Sequence, residues 1–274
     1  MIQDIYPHVL NNRYAEKRDP IETDQVFLFE ANSVLVKVEG EHIELPEVKD
    51  IDTRDLVYLF SIDETAYFMC ENDAKAPDGY EYAEMRALMS VQWKPEYTAY
   101  ALMTGYHLYD WYRNNRYCGH CGHKMIHDDT ERAQLCPECG HKEYPRINPA
   151  VIVGVINGDQ ILLTRYRIRG NMNALVAGFT EIGETREQTV SREVMEETGL
   201  KVKNIRYYKS QPWGIAQDLL MGFYCDVEGD DTITMDAGEL KYACWVNRED
   251  IVLQPRNYSL TNEMMKRFKD GHKC

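Results

Sequence analysis

GFTEIGETREQTVSREVMEETGL, residues 178–200, decides how the rest of the chain is read. It crowds Glu184, Glu187, Glu193, Glu196 and Glu197 into a segment that starts as a loop and continues as a helix. Thr185 and Gln188 have the spacing of a capping box, in which the hydroxyl accepts from the third helical amide and the glutamine side chain reaches back. Gly199 stands where the helix ends, because the left-handed residue needed there has no Cβ to clash. Glu193, Glu196 and Glu197 fall at i, i+3 and i+4, on one helix face, where like charges repel. A charge run of this kind is ordinarily a solvated face. The other reading places a cation over it: hard divalent ions such as Mg²⁺ take carboxylate oxygens, completed by waters and substrate phosphates.

The spacing favours the second reading. Gly178 is followed after five residues by Glu184, and after seven more by Arg192-Glu193-Val194-Met195-Glu196-Glu197-Thr198-Gly199-Leu200. This matches G-x5-E-x7-R-E-U-x-E-E-x-G-U, with U aliphatic, at every specified position. The segment resembles the Nudix box, and the chain resembles the Nudix hydrolases, which split nucleoside diphosphates linked to another group. The resemblance implies Mg²⁺ or Mn²⁺ held by Glu193, Glu196 and Glu197, with Arg192 pairing with the box carboxylates.

Whole-chain properties set bounds. The 274 residues suit one large domain or two, and a 44% hydrophobic share allows a sizeable core. The net charge of −14 argues against a chain-wide basic face for nucleic acid and against attraction to an anionic membrane. An anionic substrate has to be admitted locally, by metal and a few basic residues. No window has the apolar length of a membrane span, and MIQDIYPHVLNNRY has no basic and apolar succession of a secretory signal; the expected location is cytoplasmic. Of eight cysteines, four form two CxxC pairs, and nothing suggests a disulfide framework.

Residues 1–115 read as a smaller β-rich α+β domain. Strands are expected over Gln25–Phe29, Ser33–Val38, Asp55–Ile62 and Thr65–Cys70, the last two joined by a hairpin at Asp63-Glu64. Helices are expected over Glu81–Ser90 and from Pro95 toward Asn114. Tyr97, Tyr100, Tyr106, Tyr109, Trp111 and Tyr112 could stack bases, but their helical spacing favours packing. His8, His42 and His107 lack the partners a site needs.

Residues 116–143 contain Cys118-Gly-His-Cys121 and Cys136-Pro-Glu-Cys139, separated by fourteen residues, in two near-identical knuckles, CGHCGHK and CPECGHK. Four thiolates at this spacing point to one tetrahedral, closed and therefore structural Zn²⁺ site. Iron is the alternative metal; a thiol redox pair comes as one CxxC rather than two matched ones. The basic residues here are interleaved with acids, so a structural tie is preferred to a nucleic-acid module.

Residues 144–274 change pattern. Strands are expected over Ile147–Ile156 and Gln160–Ile168, joined at Asn157-Gly158-Asp159, then over Leu175–Phe179, Ile205–Ser210, Asp218–Val227 and Lys241–Val246, with a last helix over Ser259–Lys269. A mixed sheet between helices resembles the Nudix α/β/α sandwich, giving an α/β fold class for this domain. Ser210-Gln211-Pro212-Trp213 follows the box, and with the upstream cysteines it looks like the zinc-containing NADH pyrophosphatases, where the segment reads SQPWPFPxS. The likeness covers about Tyr117–Arg267. It implies that Glu239 adds a metal ligand or base. It also implies that Tyr144 and Phe179 stack a ring of the dinucleotide, with Tyr144 reaching across a homodimer, and that Gln211, Trp213, Asp218 and Thr261 lie near the nucleotide. Gly214-Ile215-Ala216-Gln217-Asp218 departs from the family's PFPxS, in a segment expected to shape the nucleotide pocket. The expected activity is hydrolysis of the NAD(H) pyrophosphate to nicotinamide mononucleotide and AMP. The alternatives are removal of an NAD cap from RNA, cleavage of another nucleoside-diphosphate-linked compound, and a nucleotide-sensing zinc-ribbon regulator without turnover.

Overall fold

The computed structural model describes residues 1–52, 55–72, 74–167 and 171–274. By contacts it divides into two compact units: residues 147–213 and 218–274 with Met1, and residues 2–146 with 214–217.

The first unit is built on a six-stranded mixed sheet. Its order is Val202–Trp213, Asp218–Val227, Asn148–Asn157, Gln160–Tyr166 and Leu240–Asn247, with Val176–Phe179 also paired to Asn148–Asn157. Asn148–Asn157 runs parallel to Asp218–Val227 and antiparallel to its other two partners. Alternation along this strand explains the layering, since successive side chains point to opposite faces. Val151, Val153 and Val155 pack under Val190 and Val194 of the helix Arg186–Thr198. Ile152 packs instead with Leu260, Met264, Met265 and Phe268 of the helix Leu260–Lys269. The result is the expected α/β/α sandwich. Gly154 is required by this packing: a Cβ there would lie 2.7 Å from the Tyr224 ring. The strand expected over Gln160–Ile168 is seen to Tyr166; Ile168 lies outside the described residues. The strand expected over Ile205–Ser210 runs from Val202 to Trp213, through Pro212. It lies at the sheet edge, where a missing amide leaves no ladder bond unmade.

The second unit holds a sheet in the order Leu10–Asn11, Leu56–Ile62, Thr65–Cys70, Gln25–Phe27, a second sheet around Ser33–Glu39, and the helix Tyr97–Asn114. The Asp63-Glu64 hairpin is present. Tyr106, Tyr109, Trp111 and Tyr112 are buried, so these rings serve packing; Phe29 stacks on Tyr109 at 4.5 Å between centroids. One expectation is corrected. Glu81–Glu84 is not helical but pairs antiparallel with Ser33–Val36, and only Met85–Leu88 is helix. The open edge of a neighbouring strand outweighs the modest local helix preference of EYAE. Residues 214–217 belong to this unit as a short 3-10 turn. A Cβ on Gly214 would lie 2.1 Å from the Met103 carbonyl oxygen, and Gln217 donates to Asp110 at 2.8 Å. Four residues of the departing GIAQD segment are thus engaged in packing against the helix Tyr97–Asn114.

Candidate active site

The helix Arg186–Thr198 is set by its ends. Thr185 Oγ1 accepts from the Gln188 amide at 3.3 Å, and Gln188 Oε1 accepts from the Thr185 amide at 2.7 Å, completing the capping box. Gly199 closes the helix at φ +72°. The last carbonyls find partners in the following loop: the Asp236 amide donates to Glu197 O and the Thr234 amide to Thr198 O, each at 2.9 Å. These bonds bring the segment that carries Glu239 against the end of the helix.

Glu193 and Glu197 project from this helix into the interior. Glu197 is 2% exposed. Burial, with the nearby Glu193 and Glu239 carboxylates adding to it, pushes its protonation up to about 8. Burial likewise raises Glu193, with Glu196 and Glu239 contributing against the pull of Arg192. Three acids, Glu193, Glu197 and Glu239, therefore share one field, although Glu239 itself is exposed. Among the described residues no cationic side chain pairs with Glu197; its bonds are to the Tyr166 hydroxyl, 2.8 and 3.0 Å from its two oxygens, and to the Ala177 backbone. Gly178 makes room for Glu193: a Cβ there would fall 1.9–2.1 Å from the Glu193 carboxylate atoms.

Arg192 organises the outer part of the site. Its Nε and Nη2 bind Glu184 bidentately at 2.6 and 2.9 Å, and Nη2 also reaches the Phe179 carbonyl at 2.8 Å. Nη1 bridges Glu193 and Glu196 at 2.8 and 2.9 Å. The guanidinium, foremost among its partners, holds Glu184 down to about 2, and Glu184 in turn raises Arg192. Glu196 is exposed at the rim. Glu197, buried without a cationic partner among the described residues, and the partly buried Glu193 beside it present oxygen donors of the kind a hard divalent cation takes.

The other expected positions fall out differently. Phe179 is 54% exposed, as a stacking ring would be. Gln211 is fully buried; its amide donates to Tyr258 O at 2.6 Å and accepts from Leu260 N at 2.7 Å, anchoring the start of the helix Leu260–Lys269. Asp218 is also buried, while Trp213 and Thr261 are half-buried. In the second unit, Tyr144 is 52% exposed and donates its hydroxyl proton to Glu131 at 2.5 Å. Three contributors were not singled out for roles from the sequence: Tyr166, Gly178 and Glu184. The last two are box positions. Tyr166 is readable only through strand alternation, which puts it on the face of Leu162.

Also in the second unit, Cys118, Cys121, Cys136 and Cys139 bring their sulfurs within 4.8 Å of one another. Three Sγ–Sγ separations are 3.4, 3.5 and 3.7 Å. Zn–S bonds of about 2.3 Å in a tetrahedron require edges of about 3.8 Å, so the donors fit the ion. The two knuckles repeat each other. Cys118 N donates to His123 O and Cys136 N to His141 O, both at 2.8 Å, and Gly122 and Gly140 turn at φ +77° and +74°. His120, His123 and His141 are exposed.

A NUDIX domain model matches residues 146–268, and an NADH pyrophosphatase zinc ribbon domain model matches residues 113–144. A protein named NAD-capped RNA hydrolase NudC from Pectobacterium atrosepticum is 46% identical over 152 residues, covering 55% of this chain and 58% of that one. Its namesake from Escherichia coli is 45% identical over 152 residues, covering 55% and 59%. The chain thus matches somewhat over half the length of these curated relatives. A NUDIX hydrolase structure from Nitrosomonas europaea has a TM-score of 0.50 at 23% identity, covering 57% of this chain and 90% of that one, a likeness of fold. Sequence, architecture and the two matched regions agree: this chain carries a Nudix domain preceded by a zinc ribbon of the NADH pyrophosphatase type.

Proposed function

We propose that the glutamate site hydrolyses the pyrophosphate of NAD(H), releasing nicotinamide mononucleotide and AMP. The observation that carries this reading is the buried Glu197 with the partly buried Glu193 and the exposed Glu239 near it, a set in which a divalent cation would take the place of the proton that burial and its neighbours keep on Glu197. Bound Mg²⁺ or Mn²⁺ supplies charge neutralisation at the diphosphate and an acidified water. Glu193, Glu196, Glu197 and Glu239 would hold it, Glu196 from the exposed rim. Arg192 keeps Glu184, Glu193 and Glu196 in place through its four carboxylate bonds. Phe179 offers an exposed ring for stacking, with Trp213 and Thr261 as further substrate contacts and Tyr144 contributed by the second copy of the chain in a homodimer. Gln211 and Asp218, both buried, complete the set of residues assigned to the nucleotide.

The supporting assignments follow the same reading. The four cysteines hold one structural Zn²⁺, and the chain works as a homodimer in the cytoplasm. Residues 1–115, 116–143 and 144–274 act as N-terminal domain, ribbon and catalytic domain. NADH incubated with the protein and Mg²⁺ or Mn²⁺ is expected to yield the two mononucleotides; no cleavage with either ion rejects the proposal.

A second substrate is favoured by the relatives, which are named for NAD-capped RNA. The same bond would be cut, with the adenosine half extended through its 3′-oxygen as the first nucleotide of the RNA. Competition between NADH and an NAD-capped transcript decides. Decapping at enzyme concentrations that clear NADH supports the RNA substrate, and an intact cap at those concentrations excludes it.

A further inference from the structure

Tyr166 ends the strand Gln160–Tyr166, where the register against Leu240–Asn247 slips. Alternate strand residues share a face, so Tyr166 lies with Leu162 on the side covered by the glutamate helix. Its oxygen accepts from the Ala177 amide at 2.9 Å. Its single proton points at the Glu197 carboxylate, 2.8 and 3.0 Å from the two oxygens; the Ala177 carbonyl is a more distant acceptor at 3.3 Å. The chain of donors, amide to phenol to carboxylate, strengthens each bond in an interior of low dielectric. Glu197 needs such a hold. Once ionised to take a metal, it stands beside two like charges with no cationic partner among the described residues, and an unrestrained carboxylate would turn away from them.

We propose that Tyr166 is the positioning residue for Glu197: its hydroxyl fixes the carboxylate's orientation, so that Glu197 and Glu193 present their oxygens together to a divalent cation. The inference rests on the metal-binding reading of the site given above. Hydrogen bonds of this kind, one step outside the ligands, typically change metal affinity 10–100-fold when removed.

The test is Mn²⁺ binding by the zinc-loaded full chain without substrate, followed by the electron paramagnetic resonance of free Mn²⁺. Y166F is expected to raise the Mn²⁺ dissociation constant about 10–100-fold. The Mn²⁺ concentration giving half-maximal activity should rise with it, while kcat at saturating Mn²⁺ changes much less. In the E197Q background the Y166F change should have no further effect on affinity. A structural role would lower the unfolding midpoint and leave Mn²⁺ affinity alone; that result overturns the proposal, as does additivity of Y166F and E197Q. If Y166F does not fold, Y166Q, which keeps a donor, replaces it in the same cycle: coupling to Glu197 supports the assignment and additivity overturns it. Wild-type protein that binds no Mn²⁺ rejects the metal site itself, whereas equal binding by wild type and Y166F rejects only the role of Tyr166.

Discussion

Glu197 keeps its proton to about pH 8 because it is buried beside Glu193 and Glu239. The linkage has a definite sign. Between the ordinary glutamate value, about 4.3, and 8, the unfolded chain has released this proton and the folded chain still holds it, so stability falls as pH rises through that window. Metal-free wild type should therefore be less stable at pH 9 than at pH 5 through this group, by about 2–4 kcal/mol. E197Q, which cannot ionise, should lack that component and be the more stable protein at pH 9, while losing turnover. Unfolding midpoints of both proteins at the two pH values, with zinc retained and Mg²⁺ removed, check this; parallel pH profiles contradict it. Gly178→Ala makes a separate point. Its Cβ would overlap the Glu193 carboxylate, so Glu193 must move. Activity should collapse while circular dichroism shows a folded chain.

The glutamate helix shows which parts of an element are legible in sequence. Its caps, its length and the placement of Glu193 and Glu197 depend on spacings of a few residues, and Thr185, Gln188 and Gly199 do what those spacings require. Thr185→Ala should cost about 1 kcal/mol by removing the cap, read as a lowered unfolding midpoint of the first unit. Features that join distant segments were hidden. Tyr166 meets Glu197 across 31 residues, and nothing in LLTRY marks its final ring as a hydrogen-bond donor to a carboxylate. Gln211, expected near the nucleotide from its place in the SQPW stretch, bonds Tyr258 and Leu260 across 47 and 49 residues, partners that no local spacing marks. Glu81–Glu84 failed as a helix for the same reason: the partner strand Ser33–Val36 lies far back in the chain. Local chemistry was readable, and tertiary pairing was not.

At the scale of the molecule, the four converging cysteines lie in one compact unit and the glutamates proposed to hold the catalytic ion in the other. The ribbon is held to the rest of its own unit by specific bonds: Lys17 donates to Asp129 O at 2.6 Å, and Arg132 reaches Asn12 and stacks over Tyr14. Cys136→Ser should reduce zinc from one ion per chain to none, measured by elemental analysis, and should destabilise that unit, because the binding free energy of a structural zinc is folding free energy. Chelation of Mg²⁺ alone should instead abolish turnover reversibly. The most direct test of the central claim compares wild type with E197Q on NADH in the presence of Mn²⁺ or Mg²⁺, with products separated by chromatography. Wild type is expected to release reduced nicotinamide mononucleotide and AMP in equal amounts, and E197Q neither above background; undiminished turnover by E197Q, or no cleavage of NADH by wild type with either ion, contradicts the account.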